Sequence, residues 1–490
     1  MSEIRLRLAP SPTGFLHIGN LRTALFGYLL AKSMQGRFIL RIEDTDQSRE
    51  VEGAVKSLLE TLDWVGIKFD EGPHLEGDYA PYVQSQRQAI YQEHLKTLLE
   101  KGGAYYCFCT PERLKNMRDE QQSKKQAPRY DRTCRDLSPE EIRKRKVAGE
   151  KFVIRQKMPL TGEIIVHDEL RGDIKFNAED LEDHILIKSD GMPTYQFANV
   201  IDDHLMKISH VTRGEEWIPS FPKNVLLYKS FGWDVPKFIH LPLIMNKEGG
   251  KLSKRQGDVF VEDYRKNGYL PEALINFCAL LGWHPKDDEE IFTIKELEKI
   301  FKLEDIRTSP AIFDIDKLNW FNGYYLRQTK NEYLISGARV SASASLSPSP
   351  PPDVEKLIND DDYIKQIIEL EKSRIKNIFE IGEKTKYFFQ EPEYDSELLI
   401  WKNLAKEEIK KNLEEILGQL QRIEEWTQEN IDKTILNYLV KKKYKLGDYL
   451  WPMRVALTGE KNSPGPFEVA AVLGKETSLQ RIKHAIQNVV

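Results

Sequence analysis

Residues 4–30 leave the start of the chain one arrangement. Ile4, Leu6 and Leu8 alternate with Arg5 and Arg7, a period of two that reads as a strand with one apolar face. Pro10, Pro12 and Gly14 then forbid regular structure and force a tight loop. Past Gly19 and Asn20, apolar residues recur at Leu21, Ala24, Leu25, Tyr28 and Leu29, the spacing of a helix with one face turned to a core. A helix that starts after such a loop offers free backbone N–H groups and a partial positive charge, a seat for phosphate. His17 and Asn20, three apart at that entrance, can face the same space, and both can donate hydrogen bonds to an anion. The competing role for His17 is a helix cap or a packed neutral ring.

A chain of 490 residues exceeds what one core holds, so more than one domain is expected, and 40% hydrophobic residues supply the cores. The formal net charge of −5 does not advertise a nucleic-acid partner, which leaves that question to local patches. Arg143-Lys144-Arg145-Lys146 and the run Lys441–Lys445 are the candidates; taken alone, such runs are solvated helix faces. No apolar run has the length of a membrane span, and the opening MSEIRLRLAPSP lacks a secretory core, so a cytoplasmic location without membrane contact is expected.

Phe38–Ile42 reads as a second strand, ending in Glu43, Asp44 and Asp46. Carboxylates at the end of a buried strand suit an ammonium group. Thr45 or Asp46 also fits a helix cap, which makes Glu43 the better ligand candidate. Helical patterns over Val51–Leu62 and Ala89–Glu100 then alternate with strands, which argues for a parallel, doubly wound sheet. Of the 4 cysteines, Cys107, Cys109 and Cys134 cluster, and Cys278 sits in an apolar helical pattern as a core thiol. Clustered thiols in a reducing compartment suit tetrahedral zinc. The fourth ligand is open among Tyr130, Asp131 and Asp136, Tyr being chemically the least expected because its phenol has a pKa of about 10.

Between Lys151 and Ile201 the text is strand-like, and Tyr195, Asn199 and Asp203 follow at helical spacing on one face, with His204 off that stripe as a structural residue. Arg213 ends the short strand ISHVTR; a buried arginine must be paired, and its planar fork suits a carboxylate. The alternative is an internal pair with Glu215 or Glu216. In GGKLSKRQGDV, Gly249-Gly250 loosens a loop that carries Lys251, Lys254 and Arg255, charge able to close over a triphosphate; a surface basic loop is the plainer reading. Ser341–Pro352, SASASLSPSPPP, reads as a flexible segment, and Asp353–Val490 as helical and charge-rich.

These motifs occur in a telling order. PSPTG followed by HIGN resembles the HIGH signature of class I aminoacyl-tRNA synthetases, with Asn20 in place of the second His. KLSKR resembles their KMSKS loop in the form KxSKR of the glutamate enzymes. RIEDTD, SDGMPTYQFANVIDDH and RGEEW are similar to phrases of glutamyl-tRNA synthetases, and LGDYLWPMRVALTG and LGKETSLQRIKHAI to the helical anticodon-binding domain of the bacterial ones.

The resemblance implies an α/β fold: a Rossmann-like doubly wound parallel-sheet catalytic domain with an inserted α+β acceptor-binding domain, then an all-α anticodon-binding region. The expected boundaries are 1–104 and 196–245 for the catalytic halves, 105–195 for the insertion, 246–330 for the KLSKR loop and helical stem-contact domain, and 331–490 for the anticodon region, with 341–352 flexible. Implied catalytic residues are His17, Asn20, Lys251 and Lys254. Glutamate would be bound by Arg7, Ser11, Glu43, Tyr195, Asn199 and Arg213. ATP would meet His17, Gly19, Asn20, Glu216, Trp217, Ile244, Lys251, Ser253, Lys254 and Arg255. Zinc would be structural, on Cys107, Cys109, Tyr130 and Cys134, with Asp136 as runner-up for Tyr130. Arg374 falls about where such enzymes read an anticodon base.

The implied activity is ATP-dependent ligation of L-glutamate to tRNA(Glu) through a glutamyl-adenylate, with Mg²⁺ accompanying ATP. A monomer is expected, and whether tRNA(Gln) is also charged is left open. A glutamyl-queuosine enzyme would lack the C-terminal region. A glutaminyl enzyme would carry β-barrels there, and an idle RNA-binding scaffold would form no adenylate.

Overall fold

The computed structural model describes residues 3–46, 51–75, 77–250, 252, 259–346 and 351–489. It divides into two compact units, Met1–Tyr264 with Leu274–Ile315, and Arg265–Ala273 with Asp316–Val490. The strands all fall in the first: β1 (Arg5–Leu8), β2 (Arg37–Leu40), β3 (Ala104–Cys107), β4 (Val153–Gln156), β5 (Glu163–Asp168), β6 (Gly172–Asn177), β7 (Ile185–Ile187), β8 (His210–Gly214), β9 (Lys237–Leu241), β10 (Ile244–Asn246) and β11 (Ala311–Phe313).

β1 pairs in parallel with β2, Arg5 opposite Arg37 and Leu8 opposite Leu40. The crossover is the helix Ile18–Ser33, as the alternating and helical periods require. On the other side of β1, the Ser209 N–H donates to the Arg5 carbonyl at 3.0 Å and brings β8 alongside. β9 runs parallel to β8, with Arg213 opposite His240. The helix differs from expectation in one respect. Leu21, Ala24, Leu25, Tyr28 and Leu29 are buried, but so are Arg22, Phe26, Gly27, Leu30 and Ala31. It is enclosed on more than one face, because Phe26 packs edge-on against Phe301 at 5.0 Å while Gly27 is close to Phe38 and Thr212. β2 is also shorter than the expected Phe38–Ile42 strand. After Leu40 the backbone changes partners, the Ile42 N–H turning to Tyr82 and the Glu43 N–H to Pro10.

The 105–195 stretch contains two different things. β3, β4 and β7 form a small antiparallel sheet. The hairpin β5–β6 instead reaches the main sheet, where β5 meets β9 in parallel at Asp168 and Phe238. Its burial alternates, Ile164, Val166 and Asp168 in and Glu163, Ile165 and His167 out, the signature of a strand with one covered face. The helix Pro139–Val147, which carries Arg143–Lys146, buries none of its residues.

Among the described residues the second unit has no strand, which disfavours β-barrel anticodon domains. Its helices close around Ile364, Ile368, Leu413, Ile435, Met453 and Ile482. The Ser/Pro-rich expectation needs correction here. Ser341–Ser345 belongs to the helix Asn331–Ser345, and Pro352 opens the helix Pro352–Asn359; residues 347–350 lie outside the described residues. Composition suggested a loose segment, but small side chains serve close packing. Ser341 and Ala342 are buried, the Ser341 hydroxyl donates to the Phe379 carbonyl at 2.6 Å, and it accepts the Gly382 N–H at 2.9 Å.

A Cβ built on Gly382 would stand 2.1 Å from the Ser341 carbonyl oxygen, whereas one on Gly418, in the helix Lys406–Leu420, meets nothing within 4 Å. Gly382→Val is therefore expected to destabilise the chain by about 1–3 kcal/mol through overpacking. Gly418→Ala should be neutral or stabilise by roughly 0.5–1 kcal/mol. Thermal melts followed by circular dichroism compare the two.

Candidate active site

The carboxyl ends of the central strands open onto a cleft of about 490 Å³, the place where open α/β sheets receive ligands. Arg7 enters it from the end of β1, and Ser11, His17, Gly19 and Asn20 from the loop and the first turn of the following helix. Glu43 comes from beyond β2, Tyr195 from the start of the helix Tyr195–Leu205, and Arg213 from β8. Glu216, Trp217 and Ile244 complete the wall, so eleven residues singled out from sequence share one space. Asn199 does not line it but supports it from behind, donating to Glu43 Oε1 at 3.0 Å.

His17 takes the capping role considered for it, and its place in the cleft leaves the anion contact an expectation. It is the N-cap of the helix, its Nδ1 accepting the Gly19 N–H at 3.0 Å, and it lines the cleft. An imidazole nitrogen that accepts carries no proton, so a proton on this ring sits on Nε2. Lys251, Ser253, Lys254 and Arg255 lie outside the described residues. Their described neighbours adjoin the same site. Leu252 lines the cleft, the Ile18 N–H donates to the Val259 carbonyl at 2.8 Å, and the Val261 N–H to the Leu16 carbonyl at 2.9 Å.

A buried ion network forms the floor. Arg7 grips Asp203 with Nε and Nη2 at 3.0 and 3.1 Å. Arg41, fully buried, donates to the same Asp203 at 2.7 Å and to Glu43 Oε1 at 2.9 Å. Burial alone would raise the Asp203 carboxyl, but Arg7 and Arg41 outweigh it and hold it below the usual carboxylate range. Glu43 is raised, because burial exceeds the pull of Arg41 and Arg7. Its second oxygen, Oε2, is buried without a hydrogen-bond partner among the described residues.

Arg213 is the complementary case. Its Nε donates to His240 Nε2 at 2.9 Å and Nη1 to Asn224 at 3.4 Å, while Nη2 is buried without a partner among the described residues. The alternative of a pair with Glu215 or Glu216 does not hold. Glu215 accepts from Arg171 and from the Leu243 N–H, and Glu216 folds back over Gly214. Burial lowers the guanidinium pKa, as expected for a cation with no carboxylate hydrogen-bonded to it. Glu43 and Arg213 both line the cleft, and each keeps one buried polar atom without a hydrogen-bond partner among the described residues, an acceptor on one and a donor on the other.

Arg22, Arg41, Asp168 and His240 were not singled out from sequence. Arg22 lines the cleft and ties the Pro242 and Leu281 carbonyls at 2.6 and 3.2 Å. For Arg41 a signal existed: a charge inside the apolar run FILRI, just ahead of acidic residues.

Away from the cleft, the ligand atoms of Cys107, Cys109 and Cys134 lie within 4.8 Å of one another. The Tyr130 hydroxyl is 3.2 Å from the Cys107 sulfur and 3.5 Å from that of Cys109. Asp131 is engaged by Arg113, and Asp136 is 83% exposed beside Lys157. Of the three oxygen donors considered, Tyr130 is the one that joins the thiols, and the set S₃O fits a tetrahedral metal. Cys278 is buried, its thiol pushed up to about 12 by burial, as a core residue should be.

Residues 3–320 match the family model described as tRNA synthetases class I (E and Q), catalytic domain, and residues 343–486 match that of an anticodon binding domain. The chain is 47% identical over 488 residues to a glutamate–tRNA ligase of Clostridium botulinum (strain Loch Maree / Type A3), covering 99% of this chain and 98% of that one. It is 44% identical over 501 residues to that of Clostridioides difficile (strain 630), covering 100% of both. A crystal structure of a glutamate tRNA ligase from Elizabethkingia meningosepticum CCUG26117 in complex with its amino acid matches at TM-score 0.89 and 38% identity, covering 100% of each chain. The chain belongs to the glutamate–tRNA ligases, class I aminoacyl-tRNA synthetases with a Rossmann-like catalytic domain and a helical anticodon-binding domain.

Proposed function

We propose that the cleft is where this ligase joins L-glutamate to ATP and then to tRNA(Glu), with the amino acid held between Glu43 and Arg213. The observation that carries the reading is the pair of unpaired buried groups, Glu43 Oε2 and Arg213 Nη2, in one wall. Glu43 takes the ammonium. Arg213 takes a carboxylate, with Tyr195, whose ring lies tilted against that of Trp217 at 4.8 Å, and Ser11 beside the substrate. Arg7 has Nε and Nη2 committed to Asp203, which leaves Nη1 for the second carboxylate. ATP lies over the helix entrance, against Gly19, Glu216, Trp217 and Ile244.

The α-carboxylate attacks the α-phosphorus, and the bond to pyrophosphate breaks. The terminal ribose hydroxyl of tRNA then attacks the glutamyl carbonyl and releases AMP. The protein supplies alignment and charge: His17 and Asn20 at the helix entrance, Lys251, Lys254, Ser253 and Arg255 from the loop. Mg²⁺ arrives as the counter-ion of ATP. Residues 105–195 contact the acceptor stem, 246–330 the stem below it, and 331–490, with Arg374, the anticodon. We take the protein to act as a monomer. We place the protein in the cytoplasm, with its tRNA; among the described residues no helix is long and apolar enough to cross a membrane. Charging assays with purified tRNA(Glu) and tRNA(Gln) decide whether the second is also a substrate.

Removing the Arg213 fork with Arg213→Ala should cost about 2–3 kcal/mol, roughly 30- to 150-fold in kcat/KM for glutamate, with KM for ATP little changed. An unchanged KM for glutamate would remove the assignment of the cleft. Glutamate-dependent ATP–pyrophosphate exchange is expected to be weak without tRNA and strong with it; robust exchange by the protein alone would contradict that coupling. Cys107, Cys109, Cys134 and Tyr130 would hold a structural zinc ion. Metal analysis should then find one zinc per chain and a lower melting temperature after chelation. Tyr130→Phe should weaken retention and Asp136→Asn leave it intact.

A further inference from the structure

Arg213 is aimed by residues that do not line the cleft. Its Nε donates to Nε2 of His240, its register partner across β8 and β9. The far nitrogen of His240, Nδ1, lies 2.7 Å from Asp168 Oδ2, and the His240 backbone N–H donates to the same oxygen at 3.0 Å. Asp168 Oδ1 accepts the backbone N–H groups of Leu170 and Arg171, both at 3.0 Å. His240 and Asp168 are 0% exposed, and the imidazole lies against the rings of Phe221 and Phe238.

The chemistry of these partners permits one polarity. A guanidinium N–H can only donate, so His240 Nε2 must be the bare nitrogen and its proton must sit on Nδ1. A carboxylate can only accept, so Asp168 holds that proton where it is. Burial lowers the His240 pKa and keeps the ring neutral, which this arrangement requires.

We propose that Asp168 and His240 are positioning residues for substrate recognition: by fixing the imidazole with its proton on Nδ1, they hold Arg213 with Nη2 presented to the substrate carboxylate. This rests on the cleft being the glutamate site. Asp168 lies in the hairpin β5–β6, inside the 105–195 excursion, so that excursion reaches into amino-acid recognition.

Steady-state aminoacylation by the full chain, with tRNA present, tests the idea through three variants. His240→Leu removes the acceptor and is expected to raise KM for glutamate about tenfold to a hundredfold, with KM for ATP within about twofold. His240→Gln restores a carbonyl acceptor and should recover most of that loss. Asp168→Asn cannot accept at both oxygens; it should raise KM for glutamate in the same direction. Equal kinetics for the Leu and Gln variants, or parallel losses for glutamate and ATP, would reduce the pair to a structural brace and overturn the proposal. Should the variants fail to fold, ¹⁵N NMR of the His240 ring in the unmodified chain decides: a neutral ring protonated at Nδ1 supports it, and a ring protonated at Nε2 or at both nitrogens overturns it. If Arg213→Ala raises KM for glutamate and His240→Leu does not, this inference alone fails; if neither does, the site reading fails first.

Discussion

The first unit depends on the charges shared by Arg7, Arg41, Asp203 and Glu43. Each is nearly or wholly buried, and each was stripped of water to get there. That loss is recovered only when every charge has a close, hydrogen-bonded opposite. Asp203 spans Arg7 of β1 and Arg41 just past the end of β2, and belongs to a helix 196 and 162 residues further along the chain. Removing any one member strands another charge in a dry interior, at a cost of about 3–5 kcal/mol. The network therefore locks β1, β2 and the helix Tyr195–Leu205 into a single geometry, and the residues that line the cleft stand on that floor.

The network is balanced except where a ligand belongs. Glu43 spends one oxygen on Arg41 and Asn199 and keeps the other. Arg213 spends two nitrogens on neutral partners and keeps the third. Orphaned buried groups of opposite kind are costly in an empty site and useful in a filled one, since they convert to charge-assisted bonds with little rearrangement. On the proposed reading, a neutral or shorter substrate would leave one of these groups unpaired, which is a source of selectivity.

Local pattern carried much of this in the sequence. The alternation at 4–8, the Pro/Gly loop and the helical period gave the crossover, and the motif residues from 7 to 244, Asn199 excepted, line one cleft. What pattern hides is partnership at long range. Asp168 and His240 look like an ordinary strand-end carboxylate and an ordinary core histidine until the fold sets them 2.7 Å apart. Arg41 stands out in the run FILRI, but its pairing with Asp203 does not show in any local pattern. The misreading of Ser341–Ser345 has the opposite origin: a composition typical of loose linkers is also what two helices need to touch backbone to backbone. The lysines of KLSKR rest on their motif and on the neighbours that flank them, since they lie outside the described residues.

The hairpin β5–β6 makes the excursion between the catalytic halves less of an accessory than its position suggests. A protein engineer who exchanged residues 105–195 as a cassette between homologues would carry Asp168 away from the arginine it steadies. Such chimaeras take the carboxylate behind Arg213 from the donor of the cassette, while Arg7, Glu43 and Arg213 stay with the recipient. The seam that keeps parental chemistry intact runs around the hairpin, not at the ends of the insertion.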